Sequence, residues 1–89
     1  MKVSVELFGS ARDFSPKNCI NFKLVKNSSI KDLRNKLLGF IDLNFNGNET
    51  FKKIINSSAF CSDEDKIVPD NFKIDKTQRF SIIPPIGGG

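Results

Sequence analysis

Residues 2–8, Lys-Val-Ser-Val-Glu-Leu-Phe, alternate with a period of two. Val3, Val5 and Leu7 share one side, Ser4 and Glu6 the other. That pattern predicts a half-buried strand. Phe8 breaks the polar side, and Gly9-Ser10 ends the run. Residues 11–14 suit a turn or short helical piece before Ser15-Pro16. Residues 19–25 alternate again, with Ile20, Phe22 and Leu24 opposite Asn21 and Lys23. Two such runs joined by about ten residues predict an N-terminal hairpin with a long loop. The period then changes. Ile30, Leu33 and Leu37 fall at i, i+3 and i+7, one face of a helix. Ser29 suits its N-cap, with Asp32 at N3 completing a capping box in which Asp replaces Glu. Gly39 suggests an end near Leu38-Gly39.

Residues 40–48 read as an Asn-rich loop with a tight turn at Asn46-Gly47. Asn48 can cap a short second helix whose apolar side is Phe51, Ile54 and Ile55, ended by Asn56-Ser57-Ser58. Residues 58–61 and 66–68 predict two short strands around the polar turn Ser62-Asp63-Glu64-Asp65. Residues 71–78 read as a loop in which Phe72 and Ile74 plug the edge of the core. Arg79 to Ile83 is the last strand, with Phe80 and Ile82 on one side and Ser81 and Ile83 on the other. The order predicts an α+β domain, a mixed sheet of about five strands packed on one main helix, plus the short second helix. The first and last strands are the natural central, parallel pair. The domain spans residues 1–84, followed by an extended tail, 85–89.

Composition narrows the chemistry. The 89 residues suit one domain with one modest core. With 38% apolar residues and nine Phe, the chain is suited to a globule rather than to disorder. No apolar run approaches a membrane span, and no h-region follows Lys2, so the expectation is a cytoplasmic protein with no membrane partner. There is no His, which excludes Ser–His and Cys–His catalytic pairs within this chain. Cys19 and Cys61 lack metal-site spacing and read as reduced structural or neutral thiols. The acidic turn at 62–65 lacks the spacing of a calcium loop and reads as solvated. These features weigh against a free-standing enzyme and predict neither a metal nor a cofactor bound by the chain. The net charge of +4 favours an acidic protein partner or simple solubility. The lysines are scattered, so nucleic acid is not an expected partner.

What remains is the ending, Ile82-Ile83-Pro84-Pro85-Ile86-Gly87-Gly88-Gly89. Pro84 and Pro85 stop ladder pairing and hold the exit extended. Three glycines without Cβ could then pass through a narrow channel over roughly 10 Å. The group delivered would be the Gly89 α-carboxylate. The other reading is an ordinary small-residue chain end.

Over its whole length the sequence resembles the small subunit of molybdopterin synthase, among the ubiquitin-like sulfur carriers. The resemblance rests on the opening strand with Phe8 and the following Arg12, on Ile30-Lys31-Asp32-Leu33, on Val68-Pro69-Asp70, and above all on Phe80 to Gly88. It implies a β-grasp (ubiquitin-like) fold. It also implies an E1-like adenylyltransferase that uses ATP to activate the terminal carboxylate, which sulfur then converts to a thiocarboxylate. The large synthase subunit would accept the tail and pass sulfur to a pyranopterin precursor, in an expected heterotetramer. By resemblance Gly89 carries the sulfur, and Gly88 and Gly87 form the slender tail. Pro84 and Pro85 set its direction, and Ile86 seats in the channel mouth. Phe8 and Ile83 form an apolar docking patch on the sheet face away from the helix, and Arg12 pairs with an acidic surface. Edge-of-core packing and a solvated loop charge are the plainer roles open to these three.

Two departures stand out. Gly87 occupies the slot where the family usually has a small or polar residue. The turn that commonly carries Asp-Gly-Asp is here Asp75-Lys76-Thr77-Gln78, and Lys76 and Arg79 make that edge more basic. Sulfur transfer for thiazole or tRNA thiolation, covalent protein modification, and a non-covalent interaction module stay open as alternatives.

Overall fold

A computed structural model describes residues 1–85 of the chain. The sheet is organised around β1 (Lys2–Leu7) and β7 (Gln78–Ile83), which pair in parallel from Val3 beside Gln78 to Leu7 beside Ile82. β2 (Cys19–Lys23) lies antiparallel on the outer side of β1, and β4 (Ala59–Ser62) antiparallel on the outer side of β7. β5 (Ile67–Val68) completes the order β2-β1-β7-β4-β5. The first and last strands thus meet at the centre of the sheet, as expected from the alternation at 2–8 and 79–83. The inward set Val3, Val5, Leu7, Ile20, Phe60, Phe80 and Ile82 is buried.

Helix α1 (Ile30–Asn44) covers that face with Ile30, Leu33, Leu37 and Ile41, all fully buried. The predicted end near Leu38-Gly39 is five residues too early. Gly39 sits on the exposed side of the helix with open space around it. Glycine there costs about 1 kcal/mol, whereas burying Ile41 on the same stripe contributes about 2–3 kcal/mol, so the helix continues. Residues 40–44, expected as loop, are its last turn. The actual stop is the turn predicted downstream. Asn46 and Gly47 take left-handed backbone angles (φ 52° and 69°), and the Ile41 carbonyl accepts from both Phe45 N–H and Gly47 N–H.

Helix α2 (Glu49–Ser57) is capped by Asn48, whose side chain accepts from Phe51 N–H at 3.1 Å. It is held by a run of ring contacts, Phe22–Phe40–Phe45–Phe51–Phe14, with centroids 5.0–6.4 Å apart. A 3-10 helix (Gly9–Phe14) realises the short helical piece after β1 and buries Ala11 and Phe14.

The 71–78 segment is not wholly loop. β6 (Lys73–Ile74) pairs antiparallel with β3 (Ser28–Ser29), just before α1. Two-residue strands carry no periodicity to read. This ladder forms because Ile74 is buried beneath it and Asn27, at φ 68°, donates its N–H to the Ile74 carbonyl at 2.8 Å.

The capping box at Ser29 is present in both directions. Ser29 N–H donates to the Asp32 carboxylate at 2.8 Å, and Asp32 N–H donates to Ser29 Oγ at 3.2 Å. The Ser29 backbone bond, then its hydroxyl, hold the Asp32 carboxyl below its ordinary value of 3.8. A depressed folded-state pKa stabilises above the unfolded value, and that contribution is lost as pH falls through the folded one. Thermal unfolding between pH 2 and 6 is therefore expected to show an acid-side loss that shrinks in Asp32→Asn. An unchanged acid limb would show that the carboxylate contributes nothing to it.

Candidate functional site

Because strand side chains alternate, the face of the sheet away from α1 is read directly from the register. One row runs Cys19, Glu6, Ser81, Cys61, Ile67 across all five strands. Toward the end of β7 the next row is Ile83 beside Ala59. Phe8 continues β1 in extended backbone (φ −128°, ψ 157°), which turns it to the same face as Glu6. In the other direction lie Asn21, Ser4 and Arg79, then Lys23 opposite Lys2. Arg79 reaches Glu6 at 3.6 Å. The face is thus graded. It is apolar at the end where β7 leaves the sheet, and basic at the other.

The apolar end contains the predicted docking residues. Phe8 is 44% exposed and Ile83 41%. Of the nine Phe, Phe8 alone is exposed; the other eight are buried or half-buried in the core. An exposed large ring next to an exposed β-branched residue is costly surface that a partner can cover. The sequence reading missed the continuation of this patch. Ile67, 73% exposed, stands opposite Cys61 on β5, with half-buried Ala59 and Cys61 between it and Ile83. Its face depends on register, which two-residue strands do not specify.

Arg12 is exposed in the last turn of the 3-10 helix and donates to the Asn18 side chain at 3.3 Å. Among the described residues it makes no ion pair. Pro84 is half-buried and Pro85 exposed. Gly9, at φ 55°, lets the 3-10 helix start beside Pro84; a Cβ added at Gly9 would lie 3.8 Å from the ring carbons. The tail residues Ile86, Gly87, Gly88 and Gly89 lie outside the described residues. Among the described residues no three His, Cys, Asp or Glu side chains gather into a group able to hold a metal ion. No helix there is long and apolar enough to cross a membrane.

A parallel central pair, a capped helix across one face and a graded open face on the other define the β-grasp, the ubiquitin-like fold. No protein-family model and no curated protein matches the sequence. Solved structures do match. The chain is similar to a putative molybdopterin converting factor, subunit 1, from Pyrococcus furiosus (TM-score 0.72, 15% identity, covering 96% of this chain and 98% of that one). It is similar to SAMP1 from Haloferax volcanii (TM-score 0.71, 11% identity, all of both chains). A third match is a complex of subunits 1 and 2 of the molybdopterin-converting factor from Helicobacter pylori (TM-score 0.61, 22% identity, all of both chains).

Proposed function

We propose that this chain is a sulfur carrier of the molybdopterin synthase type. The observation that carries the proposal is the placement of β7. It is the central strand, it ends in exposed Ile83 beside Phe8, and Pro84-Pro85 then leads the chain out from the apolar end of the open face. The remaining sequence is Ile-Gly-Gly-Gly. Two of the similar structures are molybdopterin converting factor subunits, which supports this use of the fold.

The chemistry assigns little to the domain and much to the tail. A carboxylate is a poor electrophile. Attack of the Gly89 carboxylate on the α-phosphorus of ATP gives an acyl adenylate and releases pyrophosphate; hydrosulfide released by the donor then attacks the carbonyl carbon and displaces AMP, which leaves with the former carboxylate oxygen. The net change on the chain is one oxygen replaced by sulfur. The E1-like enzyme supplies the acids, bases and metal, and the large synthase subunit takes the loaded tail. The domain supplies a grip for these partners, which is the role of Phe8 and Ile83, with Arg12 at the periphery. Ile86 closes the channel mouth behind the glycines. The site of action is the cytoplasm, and the expected assembly is a heterotetramer.

The test is intact mass after incubation with ATP, a sulfur donor and the E1-like enzyme from the same source. A gain equal to exchanging one oxygen for sulfur, placed on Gly89 by fragmentation, is expected. No gain with an enzyme shown to be active overturns the thiocarboxylate. The similarity to SAMP1 and to a ubiquitin favours one second reading, covalent attachment to lysines of other proteins. In that case the activated chain adds its mass, less one water, to a target lysine.

Ile83→Lys tests the grip. Placing a charge in the apolar patch is expected to weaken binding to the large subunit roughly 10-fold or more, the scale of one buried anchor. Stability should change little, because Ile83 faces away from the core. Equal affinity by calorimetry would remove the patch from the interface.

A further inference from the structure

A groove of about 600 Å³ opens at the root of the tail, separate from the graded sheet face. It is lined by Pro84 and Pro85, by Ser10 of the 3-10 helix, and by residues of α2 that include Lys53, Ile54 and Ser57. Side-chain hydrogen bonds secure both ends of α2. Asn48 caps the first turn, and Ser57 Oγ donates to the Lys53 carbonyl at 2.8 Å in the last. The charge is one-sided. Lys52 is engaged by Asp42 at 2.6 Å, whereas Lys53 has no carboxylate within ion-pair distance among the described residues. Among the described residues no acidic side chain lines the groove, and its surface is mainly apolar.

We propose that this groove is a second docking site, for an apolar segment bearing a carboxylate on the protein that accepts the tail. This rests on the sulfur-carrier reading. A channel that swallows residues beyond Pro85 must bring its rim against whatever borders Pro84 and Pro85, and on the α2 side that border is the groove. The rim then presents an apolar side chain to Ile54 and the proline rings and a carboxylate to Lys53. The sheet patch and the groove flank the tail root from two sides. Gripping both fixes the direction of the exit strand as well as its position, and a misdirected tail costs rate steeply.

The test uses the full chain and the large synthase subunit from the same source, with affinity read by calorimetry. Lys53→Glu reverses the free charge, and Ser57→Trp fills the groove. Lys36→Glu, on the exposed side of α1, carries the same charge change elsewhere. All three positions are exposed, and unchanged melting confirms that the variants fold. The expected result is a loss of about 10-fold or more for Lys53→Glu and Ser57→Trp, the scale of one interfacial charge pair or anchor. Lys36→Glu should lose no more than about 3-fold, the effect of general electrostatics. Wild-type affinity in both groove variants overturns the proposal and leaves the carrier reading standing. Tighter binding of Ser57→Trp overturns it too, assigning the groove to residues 86–89 as a competitor of the partner. If wild type neither binds nor is loaded with sulfur, the carrier reading fails and the groove proposal with it.

Discussion

Removing Gly88 and Gly89 is expected to abolish sulfur loading and transfer while leaving the melting temperature unchanged. The two halves of that result have separate causes. Under the proposed chemistry the reacting atom is the terminal carbonyl carbon. Two residues of extended chain span roughly 7 Å. A displacement of about 1 Å at a reacting centre already costs on the order of 100-fold in rate, so a withdrawal several times larger takes the activity below detection. Stability is expected to hold because the core closes at Ile82, fully buried opposite Leu7 and Phe60, and Ile83 is already surface. Intact mass gives the loading, and thermal unfolding gives the fold. Sulfur gain in the shortened chain would move the reactive group off Gly89. A non-covalent module would lose only a small share of its binding.

Arg34→Ala is expected to cost roughly 3–5 kcal/mol of folding stability, the largest effect of any charged residue here. The Arg34 side chain is only 14% exposed. One terminal nitrogen donates to the Ile55 carbonyl at 2.6 Å and the Ser58 carbonyl at 2.9 Å, and the other donates to Asp70 at 2.8 Å. The guanidinium also stands 5.0 Å from the centroid of the Phe60 ring. It therefore ties α1 to the end of α2, the start of β4 and the loop after β5. A charged donor at the end of a helix is favoured by the exposed carbonyls and the helix dipole. Each charged hydrogen bond contributes about 1.5–3 kcal/mol. Deleting the donor also takes the charged partner from the Ser58 carbonyl, while the Ile55 carbonyl keeps only its bond from Ser58 N–H at 3.3 Å. Asp70 is half exposed, so its share is small, and Asp70→Asn should cost less than about 1 kcal/mol. A domain of this size has about 4–13 kcal/mol in total. Arg34→Ala should then lower the melting temperature by roughly 15 °C or more. Lysine cannot span the same three acceptors with its single compact head, so Arg34→Lys should recover only part. A loss below about 1 kcal/mol in denaturant titration would mean that water replaces the guanidinium at Ile55 and Ser58.

Arg34 also marks where sequence reasoning stopped. Its acceptors lie 21, 24 and 36 positions away, and no local pattern announces them. By spacing it lies off the Ile30–Leu33–Leu37 face of α1, and nothing nearby in the sequence distinguishes it. The elements that were legible all bury one face against a neighbour at a fixed period. Val3, Val5 and Leu7 on β1, Phe80 and Ile82 on β7, and Ile30, Leu33 and Leu37 on α1 are of this kind. The caps Ser29 and Asn48 were legible because each acts within three residues of itself. The helix end was misjudged because Gly39 gave a local stop signal while Ile41, four residues beyond Leu37, was held by the core. β3 and β6 were invisible because two residues have no period. Among the site residues, Phe8 and Ile83 were legible as apolar residues on the polar side of their strands. Ile67 and Lys53 were not, since each matters only through what lies across a gap in the chain.

The sequence by itself determined the five strands of the main sheet, both helices and their N-caps, and the α+β class. Alternation, capping and chain stiffness are local properties, set within a few residues. Tertiary structure alone decided the sheet register that extends the Phe8–Ile83 patch to Ile67, the continuation of α1 to Asn44, the burial of Arg34, and the meeting of α2 with Pro84 and Pro85 at the root of the tail. Each of these joins residues far apart in the chain, and what holds them together is shared burial of apolar surface and pairing of polar groups, which arise only once the chain has folded.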